Sequence, residues 1–272
     1  MNKSRRLNEF FALHAVFTVD ELDCFLSERS SGNVNTRKSL LTYHRNQGRI
    51  LILRRGLYAV VPYGYSPDNC LVDPYMIVAK LTKDAILAYH TALEFHGKAY
   101  SVFSRFHYVS VSKSLPFNFR SFEFRSVSVQ AALVAKDRMM FGVDRYMRSG
   151  VEILVTGLER TMVDVLNRPE LTGSWEEIWR SLQSIEYFDL DKVVEYTLLL
   201  ENATTAAKVG FFLEQNREAL MVSGSYLNRL HELRPVQPHY MIRGKREGCK
   251  LVKNWNLLVP EEILNESWGE VL

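Results

Sequence analysis

Apolar positions in the first 64 residues recur at helical spacing three times, and the pattern then changes to that of a hairpin. Leu7, Phe10, Phe11 and His14 share one face of a helix predicted over about residues 4–14. Thr18 followed by Glu21 is a capping box, with Phe17 and Leu22 placed as a hydrophobic staple. Asp20 and Glu21 suit the positive end of that second helix's dipole. Its buried stripe is Leu22, Phe25 and Leu26, and Ser30, Ser31 and Gly32 predict the turn that ends it. A third helix is expected from Asn35, a good N-cap, to Gly48, a good C-terminal stop.

Leu40 and Leu41 mark the buried side of this third helix. At about 100° per residue, Asn35, Ser39, Thr42 and Asn46 point away from it, with Lys38 and Arg45 on one flank and Thr36 and Tyr43 on the other. Such a face suits a major groove: hydroxyls and amides reach base edges while cations neutralise phosphates. Arg37 projects toward the Leu40/Leu41 side and is expected to meet a phosphate at the helix start. Arg49-Ile50-Leu51-Ile52-Leu53 and Leu57-Tyr58-Ala59-Val60-Val61 flank Arg54-Arg55-Gly56 and read as a hairpin with two arginines at its tip. Those arginines are expected to touch the backbone or enter a minor groove. Helix, helix, helix, hairpin is the order of a winged helix-turn-helix.

Pro62 to Pro67 reads as a linker, so residues 1–64 are expected to form one domain and 65–272 a second, which divides further into lobes near residue 155. Asp73-Pro74 starts a helix to about Leu81, and another is predicted over residues 84–95, stopped by Gly97. Residues 106–112, 122–129 and 151–155 read as strands. Thr156/Glu159 and Ser174/Glu177 are two further capping boxes, and helices fill most of residues 157–233. The tail, residues 250–260, reads as a strand or packed extended segment. The predicted fold is α+β, with helices dominating the second half.

Composition sharpens this picture in two ways. Net charge is only +3, but residues 1–64 carry ten Lys and Arg against five Asp and Glu, leaving 24 against 26 elsewhere. A basic N-terminal piece on a slightly acidic body fits a nucleic-acid-reading module joined to an effector domain. Cys24, Cys70 and Cys249 are odd in number and far apart, which argues against a disulfide framework or zinc site and fits a reducing cytosol. Lys3, Arg5 and Arg6 before Leu7, Phe10 and Phe11 resemble a leader, but Glu9 and His14 interrupt it and no small-residue cleavage site follows; a cytoplasmic protein is expected.

Catalytic constellations are scarce. His90, Glu94 and His96 cluster without the spacing of a zinc motif, and Glu123-Phe124-Arg125 lacks the second carboxylate and lysine of a nuclease. Glu159, Arg160 and Asp164 suit an internal ion-pair network, and Arg243, Lys245 and Arg246 a solvated loop. There is no phosphate-cradling glycine loop and no nucleophile elbow. No enzymatic activity, metal or cofactor is expected.

Four stretches in order, Leu53-Arg54-Arg55-Gly56-Leu57-Tyr58-Ala59, Leu87 to Gly97, Thr156 to Leu166 with Arg168-Pro169, and Trp255-Asn256-Leu257 with Pro260, give the chain a resemblance to the AbiEi-type antitoxins of type IV, abortive-infection toxin–antitoxin systems. The resemblance implies a winged helix that represses its own promoter at inverted repeats. It also implies a body that counters a nucleotidyltransferase-like toxin without a stable complex. The DNA contacts then fall on Asn35, Thr36, Arg37, Lys38, Ser39, Thr42, Tyr43, Arg45, Arg49, Arg54 and Arg55. The competing readings are a stand-alone winged-helix regulator whose body senses a ligand and, more remotely, a DNA-guided nuclease.

Overall fold

A computed structural model describes residues 3–27, 34–112 and 114–268, with side chains from Leu7 and, after the first gap, from Asn35. The predicted turn at Ser30, Ser31 and Gly32 lies outside the described residues. The chain opens with α1 (Lys3–Leu13), β1 (Val16–Thr18), α2 (Val19–Ser27), α3 (Val34–Asn46), β2 (Ile50–Arg54) and β3 (Leu57–Val60). The capping box forms at α2: Thr18 N donates to Glu21 Oε2 at 2.8 Å, and Glu21 N to Thr18 Oγ1 at 3.3 Å. Local chemistry fixes this start, since donor and acceptor are three residues apart.

Strands β1, β3 and β2 form an antiparallel sheet in that order. Alternation divides the sheet between two cores. Ile50, Tyr58 and Val60 face Leu7, Phe10, Phe11, Phe17 and Leu22 in a small aromatic-rich cluster. Leu51, Leu53, Leu57 and Ala59 face the opposite way, into a second cluster shared with the body. Successive strand side chains point to opposite faces, so this short sheet is buried on both. The chain returns from it through Val61 and Cys70 into the same second cluster.

The body is built on a six-stranded mixed sheet in the order β6-β7-β5-β4-β9-β8. Its strands are β4 (Ile86–Leu87), β5 (Arg105–Ser110), β6 (Phe117–Phe119), β7 (Phe122–Ser128), β8 (Val143–Arg148) and β9 (Val151–Thr156). Pairs β5·β7 and β4·β9 are parallel, and the other pairings are antiparallel. Phe106, Tyr108, Phe124 and Ile153 face the N-terminal sheet and α4 (Pro74–Ala79). Val109 and Val127 face the other way, onto the helical layer.

That layer contains α5 (His90–Phe95), α6 (Ala131–Ala135), α7 (Leu158–Asn167), α8 (Trp175–Gln183), α9 (Leu190–Leu199), α10 (Ala203–Gln215) and α11 (Gly224–Glu232). A small sheet of β10 (His239–Tyr240), β12 (Leu257–Pro260) and β11 (Cys249–Val252) follows, with α12 (Glu261–Leu264) at its end. Sheet and helices share one core, from Val109 and Val127 through Trp179 to Trp255. The architecture is mixed α+β.

Three expectations need correction. The predicted helix over residues 84–95 begins only at His90, because Ile86 and Leu87 pair with Val109/Tyr108 on one side and Leu154/Val155 on the other. A central strand buried on both faces has no alternation to announce it. The capping box at Thr156/Glu159 does not form: Gly157 is the N-cap, and Glu159 Oε1 instead accepts Asp189 N at 3.1 Å. At α8, Ser174 Oγ caps Glu177 N at 3.1 Å, but the Glu177 carboxylate turns to His90, Tyr100 and Ser101. Strands β1, β6, β8 and β10 carry no strand signal in the sequence. β8 is an edge strand exposed along nearly its whole length, so charge sits where alternation would otherwise mark it.

Candidate nucleic-acid interface

Helix α3 has 13 residues, about 20 Å of helix by its rise per residue. Leu40 and Leu41 pack on the small N-terminal cluster, and His44 is buried with its ring edge-on to Phe11 at 5.1 Å. Burial, with Arg49 nearby, pulls the His44 imidazole below its ordinary pKa, so this contact is neutral packing. The helix stops at Gly48, whose φ of +67° is a left-handed conformation, and Gly48 N donates to Arg45 O at 2.9 Å.

With that side anchored, Asn35, Lys38, Ser39, Thr42, Tyr43, Arg45 and Asn46 are all exposed, and Thr36 is half-buried. Ser39 Oγ bonds back to Asn35 O at 3.0 Å. Among the described residues, Lys38 and Arg45 have no carboxylate partner, so their charges are available to an anionic surface.

The remaining arginines divide differently. Arg37 is half-buried and ion-paired with Asp23 of α2, so it ties the two helices together. Arg49 donates to Asn8 Oδ1 at 2.8 Å with its guanidinium 5.4 Å from the Phe11 ring centroid, clamping the hairpin to α1. Arg54 turns inward: Nη2 donates to Leu81 O at 2.6 Å, and the guanidinium lies 5.8 Å from the Phe117 ring centroid. Of the two tip arginines only Arg55 is exposed. Each internal partner is distant in sequence, so helical geometry carried no sign of it. The first two helices are also held against the body, α2 by the Glu21–Lys80 ion pair and α1 by the close approach of Leu13 O to Gly150, where a Cβ would collide with it.

The other polar clusters are built into the body. Arg160, buried, donates to Met139 O and Phe141 O at 2.7 Å each and to Asp164 Oδ2 at 3.4 Å; Tyr196 OH donates to Asp164 Oδ1 at 2.8 Å. Of the expected network only Arg160 and Asp164 pair, joining α7 to α9 and to the loop before β8, while Glu159 turns to Asp189 N. His90 stacks on Phe103 at 3.8 Å with Nε2 3.1 Å from Glu177 Oε1, whereas His96 turns to Thr156 O at 2.9 Å. The two histidines therefore do not converge, and no group of three or more potential metal ligands occurs among the described residues. Glu123 is held by Arg105 and Arg125 at 2.6 Å each. Lys245 of the late basic cluster pairs with Glu262 at 2.8 Å. A mixed cleft beside the hairpin tip, with Lys80 and Lys83 in its wall, had no sequence signal, since its walls come from four separate segments.

No family model matches the chain, and no curated protein matches it. The fold has a solved counterpart in the crystal structure of RV2827C, a protein from Mycobacterium tuberculosis. That likeness has a TM-score of 0.59 at 17% identity and covers 97% of this chain and 94% of the other. It concerns the fold alone. Among the described residues no helix is long and apolar enough to cross a membrane.

Proposed function

We propose that residues 1–64 act as a winged helix-turn-helix and that the protein is a DNA-binding autorepressor and antitoxin of a type IV toxin–antitoxin system. The observation carrying the DNA-binding part is the outer face of α3. Asn35, Ser39, Thr42 and Asn46 are exposed together, and among the described residues Lys38 and Arg45 beside them lack carboxylate partners. Amide and hydroxyl groups flanked by uncompensated cations are the chemistry that reads base edges and neutralises phosphates. The succession α1, α2, α3, β2, β3 supports the same reading. Base readout belongs to α3 and backbone contact to Lys38, Arg45 and Arg55, with Tyr43 and Thr36 at the margin. Arg37, Arg49 and Arg54 hold the unit in shape.

The antitoxin part rests on the resemblance. The stretches carrying it sit largely inside the body: residues 156–166 include the buried Thr156, Thr161, Arg160 and Asp164. They maintain the fold, so the surface that counters a toxin lies elsewhere. Cytoplasmic location and promoter inverted repeats follow from this reading. The test is a mobility shift on the chain's own upstream DNA with a scrambled competitor, paired with co-expression beside a neighbouring nucleotidyltransferase-like gene. Specific binding and relief of toxicity are expected; binding no tighter than to scrambled DNA would remove the repressor role. A ligand-responsive regulator is the second reading, favoured by the cleft at the hairpin tip.

A further inference from the structure

The junction between the N-terminal unit and the central sheet holds a half-open cleft of about 600 Å³, within the range of small-molecule sites. One wall is the start of α2 and the hairpin tip, and the other is residues 79–85 with Glu152 and Leu154 of β9. Leu57, Leu81 and Ala85 are buried and give it an apolar floor.

Its charges do not cancel. Lys80 is paired with Glu21, and Glu152 with Arg145 at 3.2 Å. That leaves Arg54, Arg55 and Lys83 against Asp20. Arg54 is satisfied by a neutral carbonyl and an aromatic face, and Lys83 is exposed on the opposite wall. Cations from both units thus line one apolar-floored space, and with Arg145 counted beside Glu152 the positive charges exceed the negative by about two.

We propose that this cleft binds a small organic anion carrying about two negative charges on a compact planar or apolar body, a phosphate ester or a dicarboxylate. An anionic oxygen is a stronger partner for Arg54 than the Leu81 carbonyl, since charge-assisted hydrogen bonds are roughly twice as strong as neutral ones. The bound anion bridges Arg54 and Arg55 on the hairpin to Lys83 on the body and stiffens the junction that orients α3. Binding itself stands apart from the DNA reading; only its effect on operator affinity rests on that reading.

The test uses the full chain without DNA, by thermal unfolding and calorimetric titration at constant ionic strength. Adenosine 5′-monophosphate and phthalate are the probes, with sodium chloride as control. Saturable one-site binding with a melting temperature raised by a few degrees is expected. Lys83→Ala, which alters only an exposed side chain, and Arg54→Gln should each weaken it at least about tenfold. Response to adenosine monophosphate alone identifies a phosphate ester, response to phthalate alone a dicarboxylate, and response to both the anionic group they share. The proposal is overturned if neither probe saturates, if both variants bind as tightly as the parent, or if chloride produces the same shift. Failure here leaves the α3 reading intact, because the readout contains no DNA.

Discussion

If residues 1–64 read DNA as proposed, the division of the arginines sets how steeply operator binding should respond to salt. Six cations line α3 and the hairpin, but Arg37, Arg49 and Arg54 have internal partners, leaving Lys38, Arg45 and Arg55. Two copies on an inverted repeat then neutralise about six phosphates, and at about 0.9 per phosphate the slope of log K against log salt is about −5. Were all six cations engaged, the slope would be about −11 by the same rule. Between 50 and 200 mM salt the smaller slope still lowers affinity by about 10³-fold. Lys38→Ala with Arg45→Ala removes about four contacts per complex and should bring the slope to about −2. Fluorescence anisotropy with a labelled operator, over a salt series, measures all of this directly. A parent slope near −11 would refute the division. So would an Arg49→Gln protein, folded by circular dichroism, whose slope falls as far as that of the Lys38/Arg45 variant.

Three further outcomes test the body. Arg160→Met strands the Asp164 carboxylate, which is wholly buried, and should destabilise by about 3–5 kcal/mol in urea unfolding; a change under 1 kcal/mol, by contrast about the worth of an exposed pair, would mean Asp164 is not ionised there. Burial, helped by Arg105 and Arg125, holds the His107 imidazole down at about 4 from 6.5, so its contribution is present above 6.5 and lost as pH falls toward 4, about 3 kcal/mol in all. Glu94 has the opposite sign. Burial, with Glu177 adding to it and the Phe103 N–H opposing, lifts its carboxyl to about 6 from 4.5, so its contribution is present below 4.5 and lost as pH rises to about 6, about 2 kcal/mol. Urea midpoints from pH 7 to pH 4 should therefore fall more steeply for Glu94→Gln than for the parent, and rise for His107→Gln; parallel profiles would sink both assignments. Finally, a Cβ on Gly210 of α10 would enter the buried Trp255 ring. Gly210→Ala should cost about 1–3 kcal/mol of overpacking against about 1 kcal/mol of helix propensity, and a higher melting temperature would contradict the packing.

What the sequence determined by itself is what lies within a few residues of itself. The Thr18–Glu21 box, the Asp73 cap whose side chain accepts Tyr75 N at 2.9 Å, the stop at Gly48 and the outward face of α3 were all legible. Each depends on backbone periodicity or on groups no more than one turn apart. The same local rule misled at Thr156/Glu159, where a backbone N–H thirty residues away took the carboxylate. Tertiary structure alone decided that Ile86 and Leu87 would be a strand, since their partners lie more than twenty residues onward. It alone turned Arg54 from the hairpin tip to Leu81 and Arg49 to Asn8, and so chose which cations face outward. The cleft between the two units belongs wholly to this second kind. Its walls come from four separated stretches, and no pattern along the chain encodes a space that exists only once distant surfaces have packed.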